Sequence, residues 1–244
     1  MNELYEKLKK YSIDDSIKIE ESDRQYIALK SLWDKFSLFS NQNVSIKSYY
    51  LSLILANSII CYQLSGKWED YWEEFSTYFR NKWIVNSEKW IVENLSNFIK
   101  QSKNNKRFVD TKISRLEKLK NLLGEFSKDV EFYYDNMEIL RDKLAKTMNQ
   151  KPDAKTIVFA IKMFSYGARN VFDKLVYFPE SISIPIDSRL TNLYEKYKWD
   201  NISNNEKNNI IEIKEFYFDL SKKLGIPELH LDALVWVNYN ELID

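Results

Sequence analysis

Two lysines stand seven residues apart in the segment PDAKTIVFAIKMF, residues 152–164, and both could do chemistry. A neutral lysine amine is a nucleophile that forms imines with carbonyl-level carbons, whereas an ammonium is not. At about 100° per residue, Lys155, Phe159 and Lys162 share one helix face, and Ile157, Val158, Ile161 and Phe164 supply core contacts. Lys155 falls in the first turn after Pro152, where the positive end of the helix dipole disfavours an ammonium. The plainer reading is a solvated Lys155 and a Lys162 whose apolar stem carries its charge to the surface.

Carboxylates supply the second set. In YFPESISIPIDSRL, residues 177–190, Pro179 and Pro185 push their predecessors toward extended backbone. Asp187 follows where a helix N-cap belongs, and on residue grounds alone it is a plain cap. In ELHLDALVWV, residues 228–237, Asp232 and Trp236 are four apart and share a helix face. A carboxylate beside an indole plane can grip a flat base; an exposed Asp beside a core Trp is the alternative. Trp68, Tyr71, Trp72 and Phe75 crowd CYQLSGKWEDYWEEF, residues 61–75, and read mainly as core. His230 is the sole histidine and Cys61 the sole cysteine. That rules out an internal disulfide, argues against an imidazole- or thiolate-rich zinc site, and fits a reducing cytoplasm. No glycine-rich phosphate loop and no Ser-His-Asp set can be drawn.

The elements that must hold these groups are helices. Only 4 Gly and 4 Pro punctuate 244 residues, and 44% hydrophobic content supports a large core. The pattern predicts an all-α chain with helices near 2–11, 22–39, 47–64, 68–81, 87–101, 108–126, 129–147, 153–168, 188–198, 205–224 and 229–242. Asp23 opens one helix, Gly66 ends another, Pro152 sits in a first turn, and Gly225-Ile226-Pro227 is a stop. The polar run at 200–209 is a loop. The apolar run 49–64 is broken by Ser52, Asn57, Ser58 and Gln63, so it reads as a buried helix, not a membrane span. The charged N-terminus has no apolar signal core. No linker marks a boundary, so residues 1–244 are expected to form one unit.

Formal net charge is zero and the pI is about 6.7, which does not advertise a nucleic-acid binder. Residues 141–174 nevertheless hold eight basic and three acidic side chains, a local net charge of +5. A basic face is permitted there, although solvated helix faces are often lysine-rich.

Read in order, DRQYIALK, YQLSGKWEDYW, AKTIVFAIKM, IPIDSRL and LHLDALVW resemble the archaeal 8-oxoguanine DNA glycosylases, the AGOG family of the helix-hairpin-helix glycosylase superfamily. The resemblance runs from about Asp23 to Trp236. It implies a compact helix-hairpin-helix glycosylase-like fold with the hairpin near 129–166. Two helical subdomains would then flank an active-site cleft. It also implies a bifunctional DNA glycosylase and AP lyase that excises 8-oxoguanine through a lysine Schiff base. By that resemblance Lys155 is the nucleophile and Asp187 the catalytic aspartate. Gln25, Cys61, Trp72, Phe159, Lys162, Asp232 and Trp236 then form the base pocket. No cofactor and no metal are implied. The partner is double-stranded DNA containing 8-oxoguanine, with single-stranded DNA left open, and the chain is expected to be an intracellular, nucleoid-associated monomer. Cys61 and Trp68 depart from the family pattern, which has serine and a small residue there, and the hairpin lacks its usual glycine-rich turn. The alternative is a non-catalytic helical module that binds DNA or a protein.

Overall fold

With so few prolines and glycines, long stretches of chain can satisfy their backbone only within themselves, and helices do this locally. The computed structural model describes residues 1–38, 45–82, 87–198 and 210–244, and among these no strand occurs. The expected loop at 200–209 lies outside the described residues. In chain order the helices begin with α1 (Asn2–Leu8), α2 (Ile13–Ser22), α3 (Arg24–Ser37), α4 (Ser45–Ile60) and α5 (Trp68–Arg80). They continue with α6 (Glu88–Gln101), α7 (Val109–Phe126), α8 (Val130–Asp135), α9 (Met137–Met148) and α10 (Lys155–Phe172). The last four are α11 (Ser188–Tyr197), α12 (Ile210–Leu224), α13 (Glu228–Val237) and α14 (Tyr239–Ile243). Contacts divide the chain into two compact units, Asp23–Val176 and a smaller one made of Met1–Ser22 with Tyr177–Asp244.

In the larger unit, α10 packs on α4 and α3, α3 packs on α5, and α7 packs on α4, α6 and α9. The apolar run in α4 is buried almost throughout, from Tyr49 to Cys61. No helix among the described residues is long and apolar enough to cross a membrane. Gly167 lets α10 approach α4 closely, since a Cβ there would sit 2.5 Å from Ile54 Cδ1. Asp23 caps α3 as expected, accepting the Gln25 N–H at 2.9 Å.

Several boundaries differ from the sequence pattern. The α9–α10 hairpin turns through Asn149, whose φ of 51° supplies the left-handed residue that glycine usually provides. Pro152 lies in this turn, ahead of the helix, and α10 starts with Lys155 after the cap residue Ala154. Gly66 does not end α4, which stops at Ile60; it belongs to the turn before α5. The predicted 129–147 helix is two helices that meet at Asn136. Helix α2 has no counterpart in the prediction.

In the smaller unit, α13 packs on α2, α12 packs on α1 and α13, and α11 packs on α14. The core joins Leu4 and Leu8 to Ile184, Leu190, Tyr194, Phe216, Tyr217, Leu231 and Leu234. Helix α2 buries Ile17 and adds a polar contact to α13. Buried Glu20 meets His230 Nδ1 at 2.8 Å, and His230 Nε2 accepts the Phe178 N–H at 3.2 Å. That acceptor role puts the ring proton on Nδ1, where it donates to Glu20.

Candidate active site

In the larger unit, Lys155 is the first residue of α10 and is exposed. No acidic partner reaches it among the described residues. Its surroundings are fixed from behind. Gln150 Oε1 accepts from both Thr156 Oγ1 and Arg115 Nη2, each at 3.0 Å, which ties the hairpin turn to α7. Two turns along α10, Lys162 is only 6% exposed, and its ammonium lies 5.7 Å from the Tyr166 ring centre. The two lysines therefore differ sharply in environment despite sharing a face.

Phe159 lies between them, half-buried. Its ring meets Trp68 edge-on, with centroids 4.9 Å apart, and Trp72 at 6.4 Å. Trp72 is fully buried and its indole N–H meets no hydrogen-bond geometry among the described residues. It lies beside the buried Cys61 sulfur without meeting hydrogen-bond geometry. Burial pushes the Cys61 thiol pKa up, more than nearby Lys112 and Trp72 lower it, so the group is a neutral, weak donor. Gln25 is also buried, and its side-chain amide makes no hydrogen bond among the described residues. Arg24 bridges from the start of α3 to Asp70 and Glu73 on α5, at 2.7 and 2.8 Å, and so seats Gln25. Buried polar groups are normally paired, and the Trp72 N–H is one of several buried groups that meet no hydrogen-bond geometry among the described residues.

In the smaller unit, Asp187 takes an extended conformation and caps α11. Its Oδ1 accepts the Arg189 and Leu190 N–H groups, both at 3.0 Å. Oδ2 has no hydrogen bond among the described residues. One oxygen thus holds the helix while the other is open to a proton. The extended arm that carries Asp187 is pinned twice: at Phe178 by His230, and at Ile184, whose N–H donates to Glu228 Oε2 at 3.0 Å. Burial raises the Glu228 carboxyl pKa, against the Ile184 N–H that lowers it. Asp187 and Asp232 act on one buried phenol, that of Tyr217. Burial first, then these two charges, raise its pKa, and it donates to Leu190 O at 2.8 Å.

Trp236 follows Asp232 by one turn of α13, and both are half-buried. The Arg189 guanidinium stacks on the Trp236 ring, 3.6 Å from its centre. Sequence reasoning missed Arg189, although it stands two residues beyond Asp187 in IPIDSRL. The only available signal was an arginine in a motif that also holds an acid, and its partner is 47 residues away.

The basic segment 141–174 offers less than its count. Arg141 pairs with Asp142, Lys143 with Glu125 and Lys174 with Asp135, while Lys162 and Arg169 are buried. Lys146, Lys151 and Lys155 remain exposed without an acidic partner among the described residues. Among those residues, no group of three or more His, Cys, Asp or Glu could hold a metal.

Comparisons with known proteins bear on this arrangement. A model of the AGOG family, N-glycosylase/DNA lyase, matches residues 5–243. The N-glycosylase/DNA lyase of Thermococcus kodakarensis is 37% identical over 238 residues, which is 96% of this chain and 82% of that protein. The N-glycosylase/DNA lyase of Methanococcus maripaludis is 35% identical, over 97% of this chain and 86% of its own length. Among solved structures, the 8-oxoguanine DNA glycosylase of Pyrobaculum aerophilum, crystallised with 8-oxoguanosine, matches with a TM-score of 0.78 at 23% identity. That match covers 97% of this chain and 86% of that one, and it shows the same fold. The chain belongs to the AGOG family of N-glycosylase/DNA lyases.

Proposed function

We propose that this enzyme excises 8-oxoguanine from DNA and then cleaves the strand, with Lys155 as nucleophile and Asp187 as its proton acceptor. The observation that supports the reading is the buried Trp72 N–H, which meets no hydrogen-bond geometry among the described residues and lies beside the Phe159 ring. A target base inside a duplex is out of reach, so it must leave the stack and be read in a pocket. 8-Oxoguanine differs from guanine by a carbonyl at C8 and a hydrogen on N7. In this reading the Gln25 amide, which both donates and accepts, and the Trp72 indole donor meet that edge. Lys162, Asp232 and Trp236 complete the base contacts in this reading.

The chemistry follows from the side chains. Lys155, as the free amine, attacks the sugar C1′. The C1′–N9 bond breaks, and its electron pair leaves with the base. The proton lost by the amine goes to Asp187, whose Oδ2 is open. The sugar ring opens to give the imine. This acidifies the C2′ hydrogen; its removal breaks the C3′–O bond and cuts the strand. The same carboxylate stabilises positive charge that develops on the sugar. The enzyme then works in the cytoplasm, alongside the chromosome.

Borohydride reduction during reaction with an 8-oxoguanine duplex tests the proposal. A covalent protein–DNA adduct on the damaged duplex, and none on the matched undamaged duplex, is expected. Absence of an adduct together with absence of base release would overturn it.

A further inference from the structure

Arg189 stands in the first turn of α11 and is half-buried. Its guanidinium makes two contacts with a single residue. The Cζ atom lies 3.6 Å from the Trp236 ring centre, a separation reachable only over the ring face. Nη1 donates to Trp236 O at 3.4 Å. That carbonyl belongs to the last turn of α13, where carbonyls lack helical partners and a cation is favoured. The Tyr239 ring stands beside the same guanidinium, 5.5 Å away at its centre, and its phenol oxygen accepts from Asn192 Nδ2 at 3.1 Å. No carboxylate pairs with Arg189 among the described residues. Its flat head is used against an indole plane, a task for which a lysine ammonium is poorly shaped.

The backbone end of Arg189 is fixed as firmly. Its N–H donates to Asp187 Oδ1 at 3.0 Å. Leu190, next in the chain, is buried, and its carbonyl accepts from the Tyr217 phenol at 2.8 Å. The side chain thus runs from a capped helix start to the end of another helix, and it holds Trp236 by both ring and backbone.

A half-buried tryptophan near a helix end can change rotamer unless a neighbour covers one of its faces. Here the guanidinium covers one. No aromatic ring and no second cation among the described residues lies on Trp236. The other face is therefore left for a flat ligand.

We infer that Arg189 is a positioning residue for base recognition: stacked on one face of Trp236, it fixes the indole so that the opposite face takes the flat purine. The inference rests on the proposed role of Trp236 in binding the damaged base. A ring ordered before binding spares the complex the entropy of ordering it. A cation over one face also draws π density toward itself, which favours an electron-rich purine on the other.

The test measures affinity for 8-oxoguanosine, a ligand without phosphate, so a lost phosphate contact cannot contribute. Wild type, Arg189→Met, Trp236→Ala and the double variant are compared. Methionine keeps an apolar stem, and the backbone N–H still serves the Asp187 cap, so Tm should stay near wild type. Arg189→Met should bind about three- to tenfold more weakly, as loss of a cation–π contact at a half-buried ring would give. In the Trp236→Ala background the same substitution should change nothing. Equal losses in both backgrounds, no loss in the first, or an unweakened Trp236→Ala overturns the inference. Arg189→Lys keeps the charge without the plane and should fall between Met and wild type. A Lys variant as tight as wild type overturns the stacked role, and if Arg189→Met proves unstable, the Lys variant in both backgrounds makes the same comparison. If the wild-type protein neither binds the nucleoside nor forms a borohydride adduct, the functional proposal fails and this inference with it. If wild type binds and Trp236→Ala weakens the complex while Arg189→Met does not, only the positioning role fails.

Discussion

The candidate residues of the two units differ in character. In the larger unit Gln25, Cys61, Trp72 and Lys162 are buried, and the Trp72 N–H meets no hydrogen-bond geometry among the described residues. In the smaller unit Asp187, Asp232 and Trp236 are half-buried, and two of them are already engaged: Asp187 caps α11 and Trp236 carries Arg189. On the proposed function the first set receives the base. The second is a set of groups held in position by the backbone. Recognition and proton handling should therefore be separable by mutation.

The most severe test is Lys155→Ala. On the proposed role it removes the atom that bonds to the sugar, so borohydride adducts and strand cleavage should vanish while DNA binding and Tm persist. A normal adduct would show that another amine is the nucleophile. Next is Asp187→Asn, which keeps the cap through its remaining oxygen but cannot accept the proton. Excision should slow by about 10²–10⁴, with an unchanged Tm and an adduct still detectable on long incubation. A rate near wild type would reduce Asp187 to a structural cap.

Lys162→Ala probes the first set. A hydrogen bond to a charged group is worth roughly 1.5–3 kcal/mol. Affinity for 8-oxoguanine nucleoside should fall accordingly, while borohydride trapping on a pre-made abasic site survives. If both fall together, Lys162 belongs with the reacting groups. Trp236→Ala should cost roughly 1–3 kcal/mol of damaged-base binding, the usual worth of base–aromatic stacking. Damaged and undamaged DNA losing affinity equally would remove Trp236 from the pocket, leaving it as a perch for Arg189.

The smallest effect concerns Lys112, whose pKa burial lowers to about 8. In the unfolded chain the amine stays protonated up to about 10.4. Between those values the unfolded state binds the extra proton, so stability should rise with pH through that window. Below about 8 the cost of the buried charge is fully present. Lys112→Met should remove this rise, measured as Tm against pH relative to wild type. A rise that persists in the variant would assign it to another group.

Much of this was legible in the chain because the signals are local. The 3.6-residue period gave most of the helices, Asp23 and Asp187 announced caps, and Lys155 and Lys162 lay on one face by arithmetic. The rest depends on contacts distant in sequence. Helix α2 hides in SIDDSIKIEES because its deepest residues include Ser16 and Glu20, and Glu20 meets His230, 210 positions on. Gly66 looked like a helix stop, but Asn104, 38 positions on, decides its role. The count of cations in 141–174 could not show which ones find carboxylates.

The double duty of Asp187 has a genetic consequence. On the proposed role its two oxygens would answer to different selective pressures, Oδ1 for a capped α11 and Oδ2 for turnover. A saturation library at this codon should therefore score differently in two screens. Asn, Ser and Thr retain a capping oxygen and should keep wild-type soluble yield, yet fail a screen for suppression of oxidative mutations. Leu, Ile and Val should fail that screen and also yield less soluble protein, since losing a cap costs about 1 kcal/mol. Every substitution would look equally intolerable in an activity screen alone, and only the comparison of yields would reveal that the position carries two separate requirements.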